Sequence, residues 1–401
     1  MSHFIIIGAG QAGQTLAGTL RAQGFDGDIT LIGDETAPPY QRPPLSKSYL
    51  LGDMPLDRLY LRPRSWYDDQ NIRLVTGQSV RAIDPAAHRV TLEDETLSYD
   101  KLALTTGSLP RRLPAAVGGD LDGVYTMRSL ADADAMGPEL VDGARVLIVG
   151  GGYIGLEAAA VAAKKGLTVT LVEMADRILQ RVASSQTSDY FRDLHRSHGV
   201  DIREGVGLQT LTGDTRVRAA TLTDGTTLDV DFVIVGVGIT PAAKLAEDAG
   251  LTLDNGIACD DHARTSDPDI YAAGDCASFP HAGAQMRLES VGNAIDMADV
   301  AAKNMAGDDV TYTPKPWFWS DQYDIKLQIA GLSTGHDRVV VRDGETSRSH
   351  WYYANDRLIA IDAMNDPRAY MIAKRLIEAG KNVDPDIAAD PEVDLKPLLK
   401  S

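Results

Sequence analysis

Residues 4–34 read FIIIGAGQAGQTLAGTLRAQGFDGDITLIGD, and residues 146–173 read VLIVGGGYIGLEAAAVAAKKGLTVTLVE. In both stretches, glycines separate a short apolar run from a segment with helical periodicity, and another glycine precedes a second apolar run. The same glycine spacing thus occurs twice, at Gly8, Gly10, Gly13 and Gly24 and at Gly150, Gly152, Gly155 and Gly166. Each stretch therefore predicts a strand–turn–helix–strand unit of about 30 residues.

Glycines at this spacing between a strand and a helix are typical of a dinucleotide-binding turn. The first glycine permits the tight turn, the second lets a pyrophosphate approach the backbone, and the third lets the helix pack on the strand. The helix N terminus then offers free N–H groups and the positive end of its dipole to the phosphates. One match alone fits any tight strand-to-helix turn, but two complete matches predict two dinucleotide sites.

The residue that follows the second strand of such a unit contacts the adenosine ribose. In the second copy this residue is Glu173. Its carboxylate would accept a hydrogen bond from the ribose 2′-hydroxyl and repel a 2′-phosphate, which predicts NADH. Arg177 and Arg181 follow closely and leave NADPH as the alternative. In the first copy we predict Asp34 at the ribose, with Glu35 as the alternative.

The composition limits the partners and the chemistry of this 401-residue chain. It holds 39 Lys and Arg against 57 Asp and Glu, a net charge of −18, which disfavours nucleic acid and anionic membranes. Its two cysteines, Cys259 and Cys276, are too few for a disulfide framework or a four-ligand metal site. The chain also shows neither a membrane-spanning apolar run nor a signal-peptide pattern after Met1, so we expect a cytoplasmic protein without metal.

The remaining segments predict further strands and helices. Apolar strands are expected at 101–106, 231–235 and 269–273, each followed by glycine, and helices at 288–306 and 368–379. A proline-bounded stretch, 313–316, precedes strand-like alternation over 324–362. We predict an α/β fold with two nested Rossmann-like domains and a C-terminal α+β domain. The predicted boundaries are 1–110 with 237–312 for the first domain, 111–236 for the second and 313–401 for the third.

A stiff segment, PPYQRPPLSK at 38–47, follows the first copy. Its prolines restrict the backbone to extended conformations, which is compatible with a rigid surface loop. A stiff segment that carries Arg42 and Lys47 could also line a flat ring system. This second interpretation favours a permanently held flavin at the first site and an exchangeable nicotinamide at the second.

Together these motifs resemble the FAD-dependent, NADH-using ferredoxin reductases of bacterial oxygenase systems, the putidaredoxin-reductase-like members of the glutathione-reductase-like flavoproteins. The resemblance covers essentially the full length. The motifs that carry it are GAGQAG (8–13), PYQRPPLSK (39–47), TTGSLPR (105–111), GGGYIGLE (150–157), GVGITPA (236–242), TSDPDIYAAGDCA (265–277), ESVGNA (289–294) and PWFWSDQ (316–322).

The resemblance implies FAD at the first site and NADH at the second. It places Asp34 at the FAD ribose, Arg42 and Lys47 along the flavin, and Trp319 near the flavin from the C-terminal domain. The other FAD residues are Gly8, Gly10, Ala12, Gly13, Glu35, Val80 at the adenine, Thr106, Gly107, Arg128, Gly274, Asp275 at the ribityl chain and Val291 near the isoalloxazine. The NAD residues are Gly150, Gly152, Tyr153, Ile154, Gly155, Glu173, Arg181 and Gly238.

The resemblance also implies that Lys47 and Glu157 form a catalytic salt bridge beside the reactive flavin nitrogen. A lysine there can stabilise the negative charge that hydride transfer places on the flavin. A buried lysine needs a partner, and Glu157 would supply it. The alternative is a solvated loop lysine and a helix acid favoured by the dipole.

The electron acceptor is indicated by what the sequence lacks. No Cys-x2-Cys or Cys-x4-Cys pair is present, and we expect Cys259 and Cys276 to pack as small apolar residues. Without a thiol relay, a flavin can release its electrons singly to an iron–sulfur protein. The resemblance implies a small acidic two-iron ferredoxin that feeds a monooxygenase or dioxygenase. Candidate basic residues for its docking are Arg62, Arg64, Arg111, Arg112, Lys303, Lys326, Lys374 and Arg375.

Two other functions remain open at the level of sequence. One is an NADH oxidase or diaphorase-like flavoenzyme whose acceptor is oxygen or a quinone. The other is a redox-controlled interaction protein that resembles apoptosis-inducing factor. We expect a monomer or a weak dimer.

We also expect Trp317 to be a core residue of its strand, because alternating aromatic residues usually pack in a core.

Overall fold

The computed structural model describes residues 2–399. The 26 strands of this described part are, in chain order, β1 His3–Ile7, β2 Asp28–Gly33, β3 Ile72–Thr76, β4 Ala82–Asp84, β5 Arg89–Thr91, β6 Thr96–Ser98, β7 Lys101–Leu104, β8 Ser108–Pro110, β9 Val124–Thr126, β10 Arg145–Val149, β11 Thr168–Glu173, β12 Asp201–Glu204, β13 Leu208–Gly213, β14 Val217–Leu222, β15 Thr227–Asp229, β16 Phe232–Val235, β17 Ile239–Pro241, β18 Ile257–Ala258, β19 Ile270–Ala272, β20 Ala277–His281, β21 Ala284–Met286, β22 Trp317–Gln322, β23 Ile325–Gly331, β24 Arg338–Asp343, β25 Arg348–Ala354 and β26 Arg357–Met364.

The α-helices of the same residues are α1 Gln11–Ala22, α2 Ser48–Leu51, α3 Arg64–Asp69, α4 Leu130–Met136, α5 Tyr153–Lys164, α6 Ser185–Ser197, α7 Lys244–Asp248, α8 Val291–Met305, α9 Pro367–Glu378 and α10 Pro385–Ala389. A 3₁₀ turn covers Pro43–Ser46. Within residues 2–399, no helix is both long enough and apolar enough to cross a membrane.

The chain forms two compact units. The first comprises the residues up to Gln41, Pro55–Leu109 and Ile239–Pro316. The second comprises Arg42–Met54, Pro110–Gly238 and the residues from Trp317 onward. The segment that carries Lys47 therefore groups with the second unit, whereas the sequence prediction assigned it to the first domain. The three predicted domains and their boundaries stay predictions.

The first unit is built on a parallel sheet with the strand order β19-β7-β1-β2-β3. β1 is an unbroken apolar run, Phe4–Ile7, because both faces of this central strand are buried. α1 packs against α8 within the same unit. The carboxyl ends of β1, β2, β7 and β19 meet at one edge of this sheet, where ligands bind in open α/β sheets.

The second unit repeats this topology. Its parallel sheet has the order β9-β16-β10-β11-β12, with β10 in the central position that β1 holds in the first sheet. The unit also contains an antiparallel sheet of order β22-β23-β26-β25-β24. α9 packs on β23 and β26 and helps to bury Trp351 and Tyr353.

Most of the predicted elements occur with shorter bounds, whereas the helix expected at 368–379 keeps its length at Pro367–Glu378. The strand expected at 101–106 ends at Leu104, and the strand expected at 269–273 is Ile270–Ala272. The helix expected at 288–306 begins only at Val291, because Ser290 is extended and its Oγ accepts the N–H of Asn293 as an N-cap.

Candidate functional site

The first glycine turn connects β1 to α1. Gly8 has a φ of 113°, and a Cβ on it would lie 2.2 Å from the carbonyl oxygen of Thr105. A Cβ on Gly13 would lie 2.0 Å from the carbonyl oxygen of Gly8. Only glycine therefore fits at the turn and at the point where the helix crosses it.

The second glycine turn connects β10 to α5 with the same geometry. Gly150 has a φ of 109°, and its Cβ would lie 2.4 Å from the carbonyl oxygen of Gly236. A Cβ on Gly155 would lie 2.1 Å from the carbonyl oxygen of Gly150. The two turns are thus closed by the same pair of backbone contacts.

Both turns leave an open space at the start of the helix. α1 and α5 begin at N-cap residues Gly10 and Gly152, neither helix has a side-chain cap or an acid in its first turn, and a Cβ on either glycine would meet nothing within 4 Å. The other long helices, α6, α8 and α9, are capped by side chains. The two glycine turns therefore fit pyrophosphates, which would bind the free N–H groups.

Predicted FAD residues surround the first turn within the first unit. Thr106 and Gly107 follow β7, and Gly274 and Asp275 follow β19 at the same edge of the sheet. A Cβ on Gly274 would lie 3.2 Å from the Cβ of Ala12, so the β19 loop reaches the start of α1. The Asp275 carboxylate accepts a hydrogen bond from Ser108 Oγ at 2.9 Å.

Three further predicted FAD residues lie elsewhere in the first unit. Asp34 directly follows β2 and is exposed, whereas the Glu35 carboxylate accepts the Tyr40 hydroxyl at 2.6 Å. Val80 packs at the edge of the first unit's core, and Val291 is the first residue of α8. Of the two acids, Asp34 is the one with its side chain directed to solvent.

The predicted NAD residues surround the second turn. The Glu173 carboxylate accepts the backbone N–H of Gly151 at 2.7 Å and that of Ala175 at 2.8 Å, which fixes it beside the turn. Ile154 is exposed, and the buried Tyr153 hydroxyl has no hydrogen-bond partner within the described chain. Gly238 lies in the loop after β16, the same loop whose Gly236 contacts the turn.

The two arginines after Glu173 differ in their surroundings. The Arg177 guanidinium donates to the carbonyl oxygens of Ala183 at 2.9 Å and Ser184 at 3.2 Å, and it also contacts Ser188 Oγ. Arg177 therefore ties together the loop before α6 and has few donors left for a 2′-phosphate. Arg181 is exposed.

Lys47 and Glu157 meet in the second unit. Lys47 Nζ lies 2.7 Å from Glu157 Oε2, and only 15% of the Lys47 side chain and 1% of the Glu157 side chain are exposed. Lys47 is therefore not the solvated loop lysine of the alternative interpretation. Its nitrogen also donates to the carbonyl oxygen of Pro43 at 3.2 Å. The catalytic role of the pair stays a prediction.

The Glu157 carboxylate has two more donors, which sequence reasoning missed. Ser46 Oγ donates to its Oε2 at 2.6 Å, and Ser320 Oγ donates to its Oε1 at 2.7 Å. Because Ser46 directly precedes Lys47, the sequence could have indicated that Ser46 lies beside the ion pair. Ser320 is 163 residues from Glu157, and no local pattern connects the two.

The remaining predicted flavin residues also lie in the second unit. Arg42 Nη1 donates to the carbonyl oxygen of Arg128 at 2.9 Å, so these two residues come together. Trp319 stacks on Trp317, with ring centroids 5.5 Å apart. The prediction that Trp317 is a core residue is wrong, because it is half-buried on the same face of β22 as Trp319.

Both cysteines are buried and unpaired. Burial raises the pKa of the Cys259 thiol and of the Cys276 thiol, so neither forms a reactive thiolate near neutral pH. Residues 2–399 thus offer no dithiol that could relay electrons.

Comparison with known proteins identifies the family. Residues 2–298 match the pyridine nucleotide-disulphide oxidoreductase family, and residues 317–399 match the reductase C-terminal domain. Rhodocoxin reductase from Rhodococcus erythropolis is 43% identical over 98% of this chain and 93% of its own length. The ferredoxin–NAD(+) reductase component of the p-cumate 2,3-dioxygenase system from Pseudomonas putida is 39% identical over 99% of this chain and 98% of its own.

A solved structure agrees with these relatives. The reductase of the covalent putidaredoxin reductase–putidaredoxin complex superposes with a TM-score of 0.96 at 41% identity, over 100% of this chain and 98% of its own. The predicted fold class and the predicted resemblance are therefore confirmed. The chain belongs to the pyridine nucleotide-disulphide oxidoreductase family, as a ferredoxin-reductase-like member with a reductase C-terminal domain.

Proposed function

We propose that this chain is an FAD-dependent reductase that passes electrons from NADH to a two-iron ferredoxin, which in turn serves a monooxygenase or dioxygenase. The relatives named as ferredoxin reductases of oxygenase systems support this proposal, and the family implies FAD and NAD(H). We place the enzyme in the cytoplasm, where its two thiols stay reduced.

The observation that carries the proposal is the pair of open glycine turns in a chain whose only cysteines are buried. Two dinucleotides fit the turns, but no dithiol is available as an electron acceptor. Electrons must therefore leave the flavin directly, as required for a one-electron iron–sulfur partner.

In this proposal the two glycine turns bind different dinucleotides. The first turn, with Asp34, Thr106 and Asp275, would hold FAD, and the second turn, with Glu173, would bind NADH and exchange it. Bound FAD supplies the conversion of one two-electron hydride into two single electrons. Lys47 would provide positive charge for flavin reduction, and Glu157 holds this lysine through the 2.7 Å ion pair.

The proposal is tested by turnover of the purified holoenzyme with a panel of two-iron ferredoxins, with cytochrome c as the final acceptor. We expect one or more ferredoxins to accelerate NADH-dependent reduction strongly, with a rate that falls as salt rises. NADH oxidation that no ferredoxin accelerates would favour the oxidase or diaphorase alternative. Slow turnover with a long-lived reduced enzyme–NAD complex would favour the redox-controlled interaction protein.

The location of the ferredoxin-docking surface remains part of the proposal. Of the candidate basic residues, Lys303 is paired with Asp299 and Lys374 with Glu378 on their own helices. Because each of these lysines is paired with an acid, they contribute less net positive charge to the attraction of an acidic ferredoxin. We therefore expect the salt dependence to come mainly from Arg62, Arg64, Arg112, Lys326 and Arg375.

A further inference from the structure

A line of buried polar side chains extends from Glu157 through the second unit. Gln322 Nε2 lies 3.1 Å from Ser320 Oγ, the group that contacts Glu157. Gln322 Oε1 lies 2.8 Å from His195 Nε2, and His195 Nδ1 lies 3.2 Å from the Tyr323 hydroxyl. Glu157, Ser320, Gln322 and His195 are all at most 1% exposed. The line therefore connects the ion pair to α6 without contact with solvent on the way.

The geometry of the elements explains how the line forms. Phe318, Ser320 and Gln322 share one face of β22, because alternate residues of a strand point the same way. Phe318 packs against Tyr153, and Ser320 bonds to Glu157, one helical turn further along α5. Two residues of a strand advance by about 6.6 Å and four residues of a helix by about 6 Å, so the two elements stay in register.

The hydrogen-bond directions along the line are fixed by the donors that each group has. An ionised carboxylate only accepts, so the single Ser320 O–H must donate to Glu157. Ser320 Oγ must then accept from Gln322, which places the amide nitrogen there and the amide oxygen at His195. An amide oxygen only accepts, so His195 carries its proton on Nε2, and Nδ1 accepts from Tyr323.

His195 fits this arrangement in its neutral form. Burial lowers the pKa of His195 to about 4, so the ring is uncharged near neutral pH. In each of the four hydrogen bonds, the donated hydrogen then points along the line toward Glu157. Because an amide does not readily pass on protons, the line acts through the alignment of its dipoles and not as a proton path.

A buried carboxylate requires such support. Ionised groups away from water are stable only when their lone pairs meet donors and a counter-charge is close. Lys47 and Ser46 both contact Glu157 Oε2. Within the described residues, Ser320 is the donor at Oε1. Loss of the Ser320 hydroxyl would leave Oε1 unsatisfied and free the carboxylate to rotate away from Lys47.

We propose that Ser320, Gln322 and His195 are positioning residues that hold the Glu157 carboxylate in the orientation in which it pairs with Lys47. This inference rests on the proposed function only in that Lys47 acts in flavin reduction. It assigns to the C-terminal strand β22 a part in flavin reduction by NADH that does not depend on the ferredoxin.

The test compares holoenzyme variants in stopped-flow reduction by NADH without ferredoxin. Ser320→Ala is expected to lower the rate constant at saturating NADH by about 10-fold, the effect of one hydrogen bond to a charged group, with less than about twofold change in the Kd of NADH. Ser320→Thr keeps a hydroxyl and should restore most of the rate. Ser349→Ala is the matched control, a buried serine of the same sheet that contacts Asp366 and not Glu157.

A second measurement reads the carboxylate itself. Infrared spectra of the holoenzymes should show an ionised carboxylate band that disappears in Glu157→Gln, shifts in Ser320→Ala and stays in place in Ser349→Ala. Gln322→Met keeps the Ser320 hydroxyl but removes its orienting donor, and it should slow reduction by about 3-fold. This variant also keeps the test decisive if Ser320→Ala does not fold.

An unchanged rate in both Ser320→Ala and Gln322→Met, or an unshifted Glu157 band in Ser320→Ala, would overturn the proposal. A loss of NADH affinity equal to the loss of rate would also overturn it, because a general packing defect predicts that result. Failure of every ferredoxin in the turnover assay would contradict the proposed function alone, since these measurements contain no ferredoxin.

Discussion

The two glycine turns share their backbone geometry but carry their side chains at opposite positions. The first has a side chain within the turn, and the second has one at the end of the neighbouring strand. β1 pairs with β2 and β10 with β11 in the same register, which makes Gly33 the counterpart of Glu173. In the first copy Ala9 is part of the turn, and a Cβ on Gly33 would lie 2.6 Å from the Ala9 Cβ. In the second copy the position of Ala9 is Gly151, which leaves room for the Glu173 side chain.

This exchange is a difference between the two turns that their shared glycine spacing does not encode. A carboxylate can stand at the end of the second strand only where the turn carries glycine beside it, as Gly151 does. The first copy must place its acid one residue later, at Asp34. The two sites thus differ through a neighbouring pair of residues outside the fingerprint, and substitutions can test each side of the comparison.

The largest effect is expected from closing one turn at a time. In Gly13→Ala, the added methyl would collide with the carbonyl oxygen of Gly8, a cost of about 3 kcal/mol for overpacking, so we expect about 100-fold weaker FAD retention. Gly155→Ala makes the same collision in the second turn and should keep FAD but lose reduction by NADH. The flavin absorbance per protein and stopped-flow reduction separate the two results. Full FAD content in Gly13→Ala would show that the copies are assigned to the wrong ligands.

A large effect is also expected at Lys47, which pairs with Glu157 on α5. Lys47→Ala should slow flavin reduction by about 100-fold, the typical loss for one group that stabilises developing charge, while FAD stays bound. Lys164→Ala is the matched control, because that lysine is exposed and donates to a backbone carbonyl of the same unit. Unchanged stopped-flow reduction in Lys47→Ala would remove the lysine from the catalytic site.

A moderate effect is expected at the acid that distinguishes the second copy. Glu173→Gln removes the negative charge but keeps the shape, so NADH affinity should fall by about 10-fold and NADPH affinity should rise. The Kd values of both nucleotides, measured on the same holoenzyme, give the selectivity ratio. Asp34→Asn serves as the control in the first copy and should leave this ratio unchanged. An NADPH preference of the unaltered enzyme would refute the role of Glu173.

The smallest effects are expected from the two arginines after Glu173. Arg177→Ala removes the donors that hold the loop before α6 and should lower stability by about 1–3 kcal/mol, with a few-fold loss of NADH affinity. Arg181→Ala changes an exposed side chain and should alter stability by less than about 0.5 kcal/mol. Thermal unfolding of both variants measures the contrast, and equal stability losses would contradict it.

The sequence predicted those features that depend on local spacing. The glycine turns, the strand–helix–strand units and the C-terminal strands follow from periodicity and from residues a few positions apart. The proximity of Lys47 and Glu157 was expected only from the family resemblance, because two distant segments form it. The Lys47 segment was also assigned to the first domain, although it groups with the second unit.

Other features of the site had no local signal. Ser320, Gln322 and His195 acquire their place through contacts between distant elements, which no periodicity encodes. Trp317 was expected in the core because aromatic residues favour buried strands, but it shares the half-buried face with Trp319. The exchange between Ala9 and Gly151 becomes visible only once the strand register is known.

The helix ends without side-chain caps link the lifetime of this protein to its cofactor supply. Within the described residues, α1 begins at Gly10 without a side-chain cap, so a phosphate bound there would satisfy its free N–H groups. A ligand that binds only the native chain stabilises it in proportion to the logarithm of its free concentration. Chains made faster than a cell produces FAD would therefore unfold more often and be degraded sooner. Flavin supply would then limit how much reductase accumulates whenever its gene is expressed faster than FAD is produced.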